Sequence, residues 1–354
     1  MPKFSIALLP GDGIGREVTP AAFELAVEAA ERSGSTLEST SYDWGTDYYF
    51  ANGRMMPPDA LELLSRHDAI LLGAVGHPDV PDNITLNGLL LPIRRAFDQY
   101  ANVRPAILYE GVESPLKNFR SGDIDMIVVR ENTEGEYAQI GGFVHERHAH
   151  ELAIQTAVFT HHGVERIIRY AFELARKRDS KRLVTSITKS NAQGFSMVLW
   201  DRVFREVAEQ YPDIQTESLL VDAAAMNFIR RPNSFDVVVA SNLFGDILSD
   251  ISAIITGSIG LAASANIDPS HTFPSMFEPV HGSAPDIVGK GVANPLAAVL
   301  SAAMMLDHLG LAEASRQLDS AIRLLLAQAR VRTADLGGLS STDDVVAELK
   351  RLLH

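Results

Sequence analysis

The chain of 354 residues contains no cysteine. That excludes disulfides, thiolate metal ligands and a cysteine nucleophile, and it is compatible with a reducing cytoplasm. Basic residues are outnumbered, with 31 Lys and Arg against 45 Asp and Glu, a net charge of −14 and a pI near 5.2. Such an acidic balance argues against nucleic acid or an anionic membrane as the main partner, although a local arginine cluster can still serve a small anionic substrate. Long apolar runs are also missing. The longest, Pro295 to Leu306, carries Ser301, is too short to span a membrane and predicts a buried helix. The N-terminal run Phe4–Leu9 is too short for a signal peptide. Internal repeats and low-complexity linkers are absent from the sequence. What is present, 46% hydrophobic and 21% charged residues, predicts a soluble globular enzyme with ample core. The length suits one large α/β unit or two lobes sharing a sheet.

Strand-like runs recur at Phe4–Leu9, Ala69–Gly73, Met126–Val129, Leu183–Thr188, Glu217–Val221 and Val237–Ala240. Between them lie amphipathic helical patterns such as Pro20–Ser33, Gly163–Lys177 and Ser196–Gln210. This alternation predicts an α/β architecture with a largely parallel sheet. The stretch from Glu136 to Thr160 lacks helical period and is rich in Gly and His, so it predicts antiparallel strands forming an arm or clasp. The tail after Pro295 predicts helix almost throughout.

Two glycine motifs fail on inspection. Gly11-Asp12-Gly13-Ile14-Gly15 follows a strand and opens a helix, but Arg16 stands where a dinucleotide fingerprint needs its third glycine. Gly289-Lys290-Gly291 lacks both the spacing and the Ser/Thr of a Walker loop. A nucleotide, if bound, is bound without either device.

Open α/β sheets bind ligands beyond the carboxyl ends of their strands. Arg130, Lys189, Asp222 and Asp246 each follow a predicted strand, and Asp250 lies one helical turn beyond Asp246 on the same face. Two like charges so placed favour a cation between them, and carboxylate oxygens suit Mg2+ or Mn2+. A solvated helix N-terminus would also favour acids, and from this pair alone the two readings stand level. The other strand ends shift the balance. Arg94, Arg104 and Arg130 can hold two carboxylates bidentately, while Asp222, Asp246 and Asp250 can hold one divalent ion. Tyr137, just beyond Arg130, is placed to be a proton donor. Singly, an arginine is more often a surface ion pair and a tyrosine more often packing. Together these residues describe a site for a small dianion chelated through a hydroxyl or carbonyl oxygen.

Over essentially its whole length the chain resembles the β-decarboxylating dehydrogenases, which include isopropylmalate, isocitrate, homoisocitrate and tartrate/D-malate dehydrogenases. The resemblance rests on Leu9-Pro10-Gly11-Asp12-Gly13-Ile14-Gly15, Arg130-Glu131-Asn132-Thr133-Glu134-Gly135 and Thr188-Lys189-Ser190-Asn191. Two longer segments are the most specific, Asn242-Leu243-Phe244-Gly245-Asp246-Ile247-Leu248-Ser249-Asp250 and Glu278-Pro279-Val280-His281-Gly282-Ser283-Ala284-Pro285-Asp286. The resemblance implies a two-lobed α/β/α isopropylmalate dehydrogenase-like fold, not a Rossmann fold, with a largely parallel central sheet and an antiparallel dimerisation arm at about 136–160. It implies a large cofactor-binding domain of residues 1–100 and 258–354, and a small domain of residues 101–257 carrying the dimer interface.

The implied reaction is oxidation of a 2-hydroxy acid by a nicotinamide cofactor, followed by loss of the β-carboxylate as CO2. Lys189 and Asp222 would come from the neighbouring subunit of a homodimer. Lys189, relayed through Asp222, would remove the C2 hydroxyl proton, and Tyr137 would protonate C3. Asp246 and Asp250, with the partner-derived Asp222, would hold the metal, and Arg94, Arg104 and Arg130 would bind the carboxylates. Asn191, Glu278, His281, Gly282, Ser283, Ala284, Asp286 and Asn294 are implied cofactor residues. A carboxylate at Asp286 accepts hydrogen bonds from a 2′-hydroxyl and repels a 2′-phosphate, which points to NAD. Around the implied substrate residue Asn87, isopropylmalate enzymes carry Glu and the tartrate/D-malate branch usually Trp. The flanking segments Val75-Gly76-His77-Pro78 and Phe97 to Pro105 look most like the tartrate/D-malate branch. The smaller Asn87 leaves an isopropylmalate or other β-substituted malate open as substrate. A metal-dependent lyase or isomerase without redox chemistry would account for the acids, lysine and tyrosine but not for the Glu278–Asp286 segment. The sequence leaves the choice of metal, any K+ requirement and assembly beyond a dimer open.

Overall fold

The computed structural model describes residues 2–354. Its strands are β1 (Lys3–Gly11), β2 (Thr36–Ser41), β3 (Ala69–Ala74), β4 (Ala101–Ile107), β5 (Asp125–Glu131) and β6 (Gly135–Val144), followed by β7 (Leu152–Val158), β8 (Leu183–Thr188), β9 (Gln215–Leu220), β10 (Val237–Ala240), β11 (Ala263–Ile267) and β12 (Ser275–Pro279). The chain divides into two compact units. The larger comprises the chain up to Gln99, Val103–Asp125 and Ser252–His354, and the smaller Tyr100–Asn102 and Met126–Ile251.

In the larger unit the strand order is β2-β1-β3-β12-β11-β4. The β1/β2, β1/β3 and β3/β12 pairs are parallel, and β11/β12 is antiparallel. All of β3 is buried, as expected of a strand covered on both faces. The helix Gly15–Arg32 buries Val18, Ala22, Leu25, Ala26 and Ala29, a stripe at helical spacing. The helix Leu296–His308 is buried nearly all round, as its largely apolar sequence up to Leu306 requires.

The smaller unit stacks β5-β10-β8-β9, every neighbouring pair parallel. Its helices include His161–Arg178, capped by Thr160 Oγ1 accepting from Gly163 N at 2.9 Å. β6 and β7 form a separate two-stranded antiparallel sheet across the segment expected to be an arm. Among the described residues no helix is long and apolar enough to cross a membrane.

The α/β fold with a mostly parallel sheet and a small antiparallel one agrees with the sequence reading. β2, β4, β11 and β12 escaped that reading. β2 is an edge strand with four exposed residues, so its sequence, TLESTS, carries little apolar signal. Val221, read as strand, instead opens a helix running to Arg230. Residues 103–125 and 252–257, expected in the small domain, belong to the larger unit. The reason is tertiary: β4 lies beside β11, which is more than a hundred residues away in the chain and invisible to local pattern.

One buried charge fastens the smaller unit. Asp236 is fully buried and accepts hydrogen bonds from Arg178 Nε at 3.0 Å, Lys181 N at 3.1 Å and Leu183 N at 3.3 Å. Removing one partner of a buried pair strands the other, at a cost of about 3–5 kcal/mol. Asp236→Ala should therefore lower unfolding free energy by about that amount in urea melts. A loss below about 1 kcal/mol would show that the site relaxes without its carboxylate.

Candidate active site

In the smaller unit, parallel register sets the first cluster. Ala240 at the end of β10 pairs with Arg130 in β5, so the helix Asn242–Ile255 starts directly beside Arg130. Gly245 permits this approach, because a Cβ there would meet Arg130 Cβ at 2.7 Å and Cγ at 2.8 Å. The Arg130 guanidinium, 2% exposed, donates to Asn242 Oδ1 from Nε at 3.0 Å and Nη2 at 2.7 Å, and from Nη1 to Asp246. Tyr137 donates its hydroxyl to the other Asp246 oxygen at 2.7 Å, with its ring centroid 5.1 Å from the guanidinium carbon. Glu136 completes the helix start, accepting from Ser241 Oγ at 2.8 Å and Leu243 N at 3.2 Å. An anion at a helix N-terminus is favourably placed.

A second cluster also follows from register. Thr188 of β8 pairs with Leu220 of β9, so Lys189 and Asp222 emerge side by side, and Lys189 Nζ donates to Asp222 at 2.6 Å. That hydrogen bond holds the exposed Asp222 carboxyl below its ordinary range. Asn191 is exposed two residues further on. Asp250 is exposed one turn after the half-buried Asp246. Among the described residues no three His, Cys, Asp or Glu side chains stand together within this one chain as a metal cage.

In the larger unit, Arg94 lies in the short helix Leu91–Ala96 and donates from Nη2 to Glu278 of β12 at 2.6 Å. Asn266 Nδ2 donates to the same Glu278 oxygen at 2.8 Å. Both ion-pair partners are buried, and Arg94 Nε has no hydrogen-bond partner among the described residues. Arg104 is buried within β4, just before Pro105. Asn87 is half-buried in the helical turn Leu86–Leu90 that precedes Arg94.

The segment after β12 packs on the first glycine loop. Ile14 N donates to the Ser283 carbonyl at 2.9 Å, and a Cβ on Gly13 would run into that same carbonyl. Asp12, 1% exposed, ties the loop down by accepting from Thr46 N at 2.8 Å, Thr46 Oγ1 at 2.6 Å and Gly76 N at 2.9 Å. His281 and Ser283 are buried, Gly282 and Asp286 exposed, and Ala284 adopts a left-handed φ of 43°. Burial pushes the His281 imidazole below its ordinary pKa, leaving it neutral near pH 7. Its Nδ1 lies 3.0 Å from the Gly282 carbonyl, which assigns the ring proton there and leaves the buried, unpartnered Nε2 as an acceptor. Asn294, also buried, donates from Nδ2 to Asp335 at 2.9 Å.

Asp246 and Asp250 are oxygen donors that suit Mg2+ or Mn2+. The buried orphan atom of His281, beside Ser283 and ahead of Asn294, suits the polar edges of a nucleotide. Sequence reasoning missed Asp12, Asn242, Glu136 and Asn266. Asp12 had a signal in Gly11-Asp12-Gly13, which fails as a phosphate-binding fingerprint because its glycines serve close packing instead.

Acid–base and anion-binding side chains at the carboxyl ends of a mostly parallel sheet define an α/β enzyme of small anionic substrates. The family model described as isocitrate/isopropylmalate dehydrogenase matches residues 5–349. A probable tartrate dehydrogenase/decarboxylase of Agrobacterium vitis is 49% identical over 346 residues, covering 98% of this chain and 96% of its own. The decarboxylating D-malate dehydrogenase of Escherichia coli K12 is 50% identical over 360 residues, covering 100% and 99%. The crystal structure of isocitrate dehydrogenase from Methylococcus capsulatus superposes with a TM-score of 0.87 at 38% identity, covering 100% and 99%. The chain belongs to the isocitrate/isopropylmalate dehydrogenase family, and it is a β-decarboxylating dehydrogenase.

The Lys189–Asp222 pair has a direct titration signature. An adjacent cation favours the ionised carboxylate, so Lys189→Met should raise the Asp222 pKa toward 3.8 from its depressed value. Carboxyl 13C NMR titration reads the shift, and an unmoved Asp222 would remove Lys189 as its cause.

Proposed function

We propose that the chain is a NAD- and divalent-metal-dependent enzyme that oxidises and decarboxylates a (2R)-malate-type 2-hydroxy dicarboxylate. Its substrate is D-malate or tartrate, D-malate giving pyruvate and CO2. The observation that carries this reading is the convergence of Arg130 and Tyr137 on Asp246, in a chain whose full-length relatives are named for tartrate and D-malate.

Asp246 and Asp250, with Asp222 from a neighbouring subunit, hold Mg2+ or Mn2+. Asn191, Glu278, His281, Gly282, Ser283, Ala284, Asp286 and Asn294 hold NAD. The chemistry these groups supply when bound is Lewis-acid polarisation of the C2 oxygen and acceptance of hydride. Arg94, Arg104 and Arg130 bind the carboxylates, Arg94 offering its buried, unpartnered Nε–H. Asn87 flanks the substrate. Lys189, after giving its own proton to the relay through Asp222 2.6 Å away, takes the C2 hydroxyl proton as a neutral amine. Tyr137, its hydroxyl held at 2.7 Å by Asp246, delivers a proton to C3 after CO2 departs. Asp286 sets NAD over NADP, since its carboxylate repels a 2′-phosphate.

The larger unit is the cofactor-binding domain, and the smaller carries the interface of a cytoplasmic homodimer. Met226, Ile229 and Ile247 expose about half their surface on two helices of the smaller unit. Ile140, Phe143 and Ile154 do the same on β6 and β7. Apolar exposure of this kind fits subunit contact. The small side chain at Asn87 supports a second reading, in which a β-substituted malate is the substrate.

Turnover of D-malate, tartrate, isopropylmalate and isocitrate with NAD and Mn2+ tests the substrate. We expect D-malate or tartrate to lead, NAD to exceed NADP in kcat/KM by at least about tenfold, and chelation to abolish turnover. Undiminished activity in thorough chelator, or equal use of NADP, would overturn the corresponding assignment. A protein that binds no NADH in a fluorescence titration would instead be a lyase or isomerase.

Shared active sites are tested by complementation. Lys189→Ala and Asp246→Asn, inactive alone, should recover about a quarter of wild-type activity when refolded together, because half the dimers are mixed and each has one intact site. Confirmed heterodimers without activity would mean that each site draws both residues from a single chain.

A further inference from the structure

We propose that Asp335 is a positioning residue for the adenosine end of the cofactor, acting through Asn294. This deepens the reading of the chain as a NAD enzyme and rests on it. Asp335 stands in the turn Ala334–Leu336, 41 residues beyond Asn294, and no part of the nucleotide assignment includes it.

Its carboxylate gathers three donors. Oδ2 accepts from Ser258 Oγ at 2.5 Å and from Asn294 Nδ2 at 2.9 Å, and Oδ1 accepts from Thr333 Oγ1 at 2.5 Å. Among the described residues no Lys, Arg or His pairs with it, so its charge is shared with neutral donors and not cancelled. Asn294 is held at both ends, because its Oδ1 accepts from Leu296 N at 3.0 Å at the start of the helix Leu296–His308. The amide therefore has one orientation. Its nitrogen faces Asp335, and of its two N–H groups one is spent there and one is left to donate to a ligand. Without the carboxylate only the bond from Leu296 N is left to orient the amide.

Gly260 shows how closely the pair is enclosed. A Cβ there would lie 2.6 Å from Asp335 Oδ2 and 2.9 Å from Asn294 Nδ2. One carboxylate thus orients the donor at Asn294.

The test uses the full-length enzyme and two probes, NADH followed by fluorescence and ADP-ribose as its competitor. In Asp335→Asn both should bind about tenfold more weakly, with kcat and the KM for D-malate within about twofold of wild type. Equal weakening of the two probes places the effect at the adenosine half, and a merely structural tie would move kcat and the melting temperature as well. Ser258→Ala removes one tie but leaves Asn294 on Asp335, and should keep NADH affinity within about threefold. Unchanged NADH and ADP-ribose affinity in Asp335→Asn overturns the proposal. Equal loss in Ser258→Ala also overturns it, whether or not Asp335→Asn folds. If the wild-type protein binds neither probe, it is the assignment of NAD that fails, and the two failures are thereby distinguished.

Discussion

A guanidinium that is 98% hidden from water must be satisfied by its neighbours, and Arg130 organises the smaller unit around that requirement. Its partners are Asn242 and Asp246 on the helix that follows β10. Those contacts demand that the helix begin against the end of β5, which in turn demands a residue without a side chain at Gly245. Once Asp246 is fixed by the arginine, its second oxygen fixes the hydroxyl of Tyr137. A single desolvated charge therefore sets the positions of an acid, a carboxylate and a helix N-terminus. Removing Asp246 would take a counter-ion from the buried charge, and removing Asn242 would take the acceptor from two of its N–H donors.

The larger unit is organised by carboxylates in the same manner. Asp12 gathers donors from Thr46 and Gly76, and this holds the Gly11–Gly15 loop where it meets Ser283. Asp335 gathers Ser258, Thr333 and Asn294. Glu278 gathers Arg94 and Asn266. In each case short loops from distant parts of the chain are tied to one anion by directional bonds. That is a way of making irregular backbone precise without regular secondary structure. The glycines beside these anions, Gly13 and Gly260, occupy places where a methyl group would strike a carbonyl or a carboxylate. Their role is steric, and it explains why a glycine-rich loop after the first strand need not be a phosphate cradle.

Much of the candidate site was legible because of one topological rule. Parallel strands deliver their carboxyl ends to the same edge, so Arg130, Lys189, Asp222 and Asp246 could be grouped once the strands before them were recognised. The pairing of Lys189 with Asp222 went beyond that rule, since it depends on the register in which Thr188 opposes Leu220. Asp12 stood in a glycine motif that pointed to a different role, and Asn266 and Asp335 carried no such signal. Their partners lie 34, 12 and 41 residues away, respectively at Thr46, Glu278 and Asn294, and nothing in local hydropathy marks a hydrogen bond of that span.

By itself the sequence determined the alternation of strands and helices, the identity of the charged residues at strand ends and the antiparallel character of the segment around residues 136–160. These properties are local: they follow from side-chain periodicity, chain stiffness and the chemistry of single residues. Only the tertiary structure decided which unit claims residues 103–125, which oxygen of Asp246 faces Tyr137, and that Arg94 and Asn266 meet on the same oxygen of Glu278. Those outcomes depend on register and on the requirement that every buried polar group find a partner, a condition satisfied only when remote segments of the chain are brought into the same few ångströms.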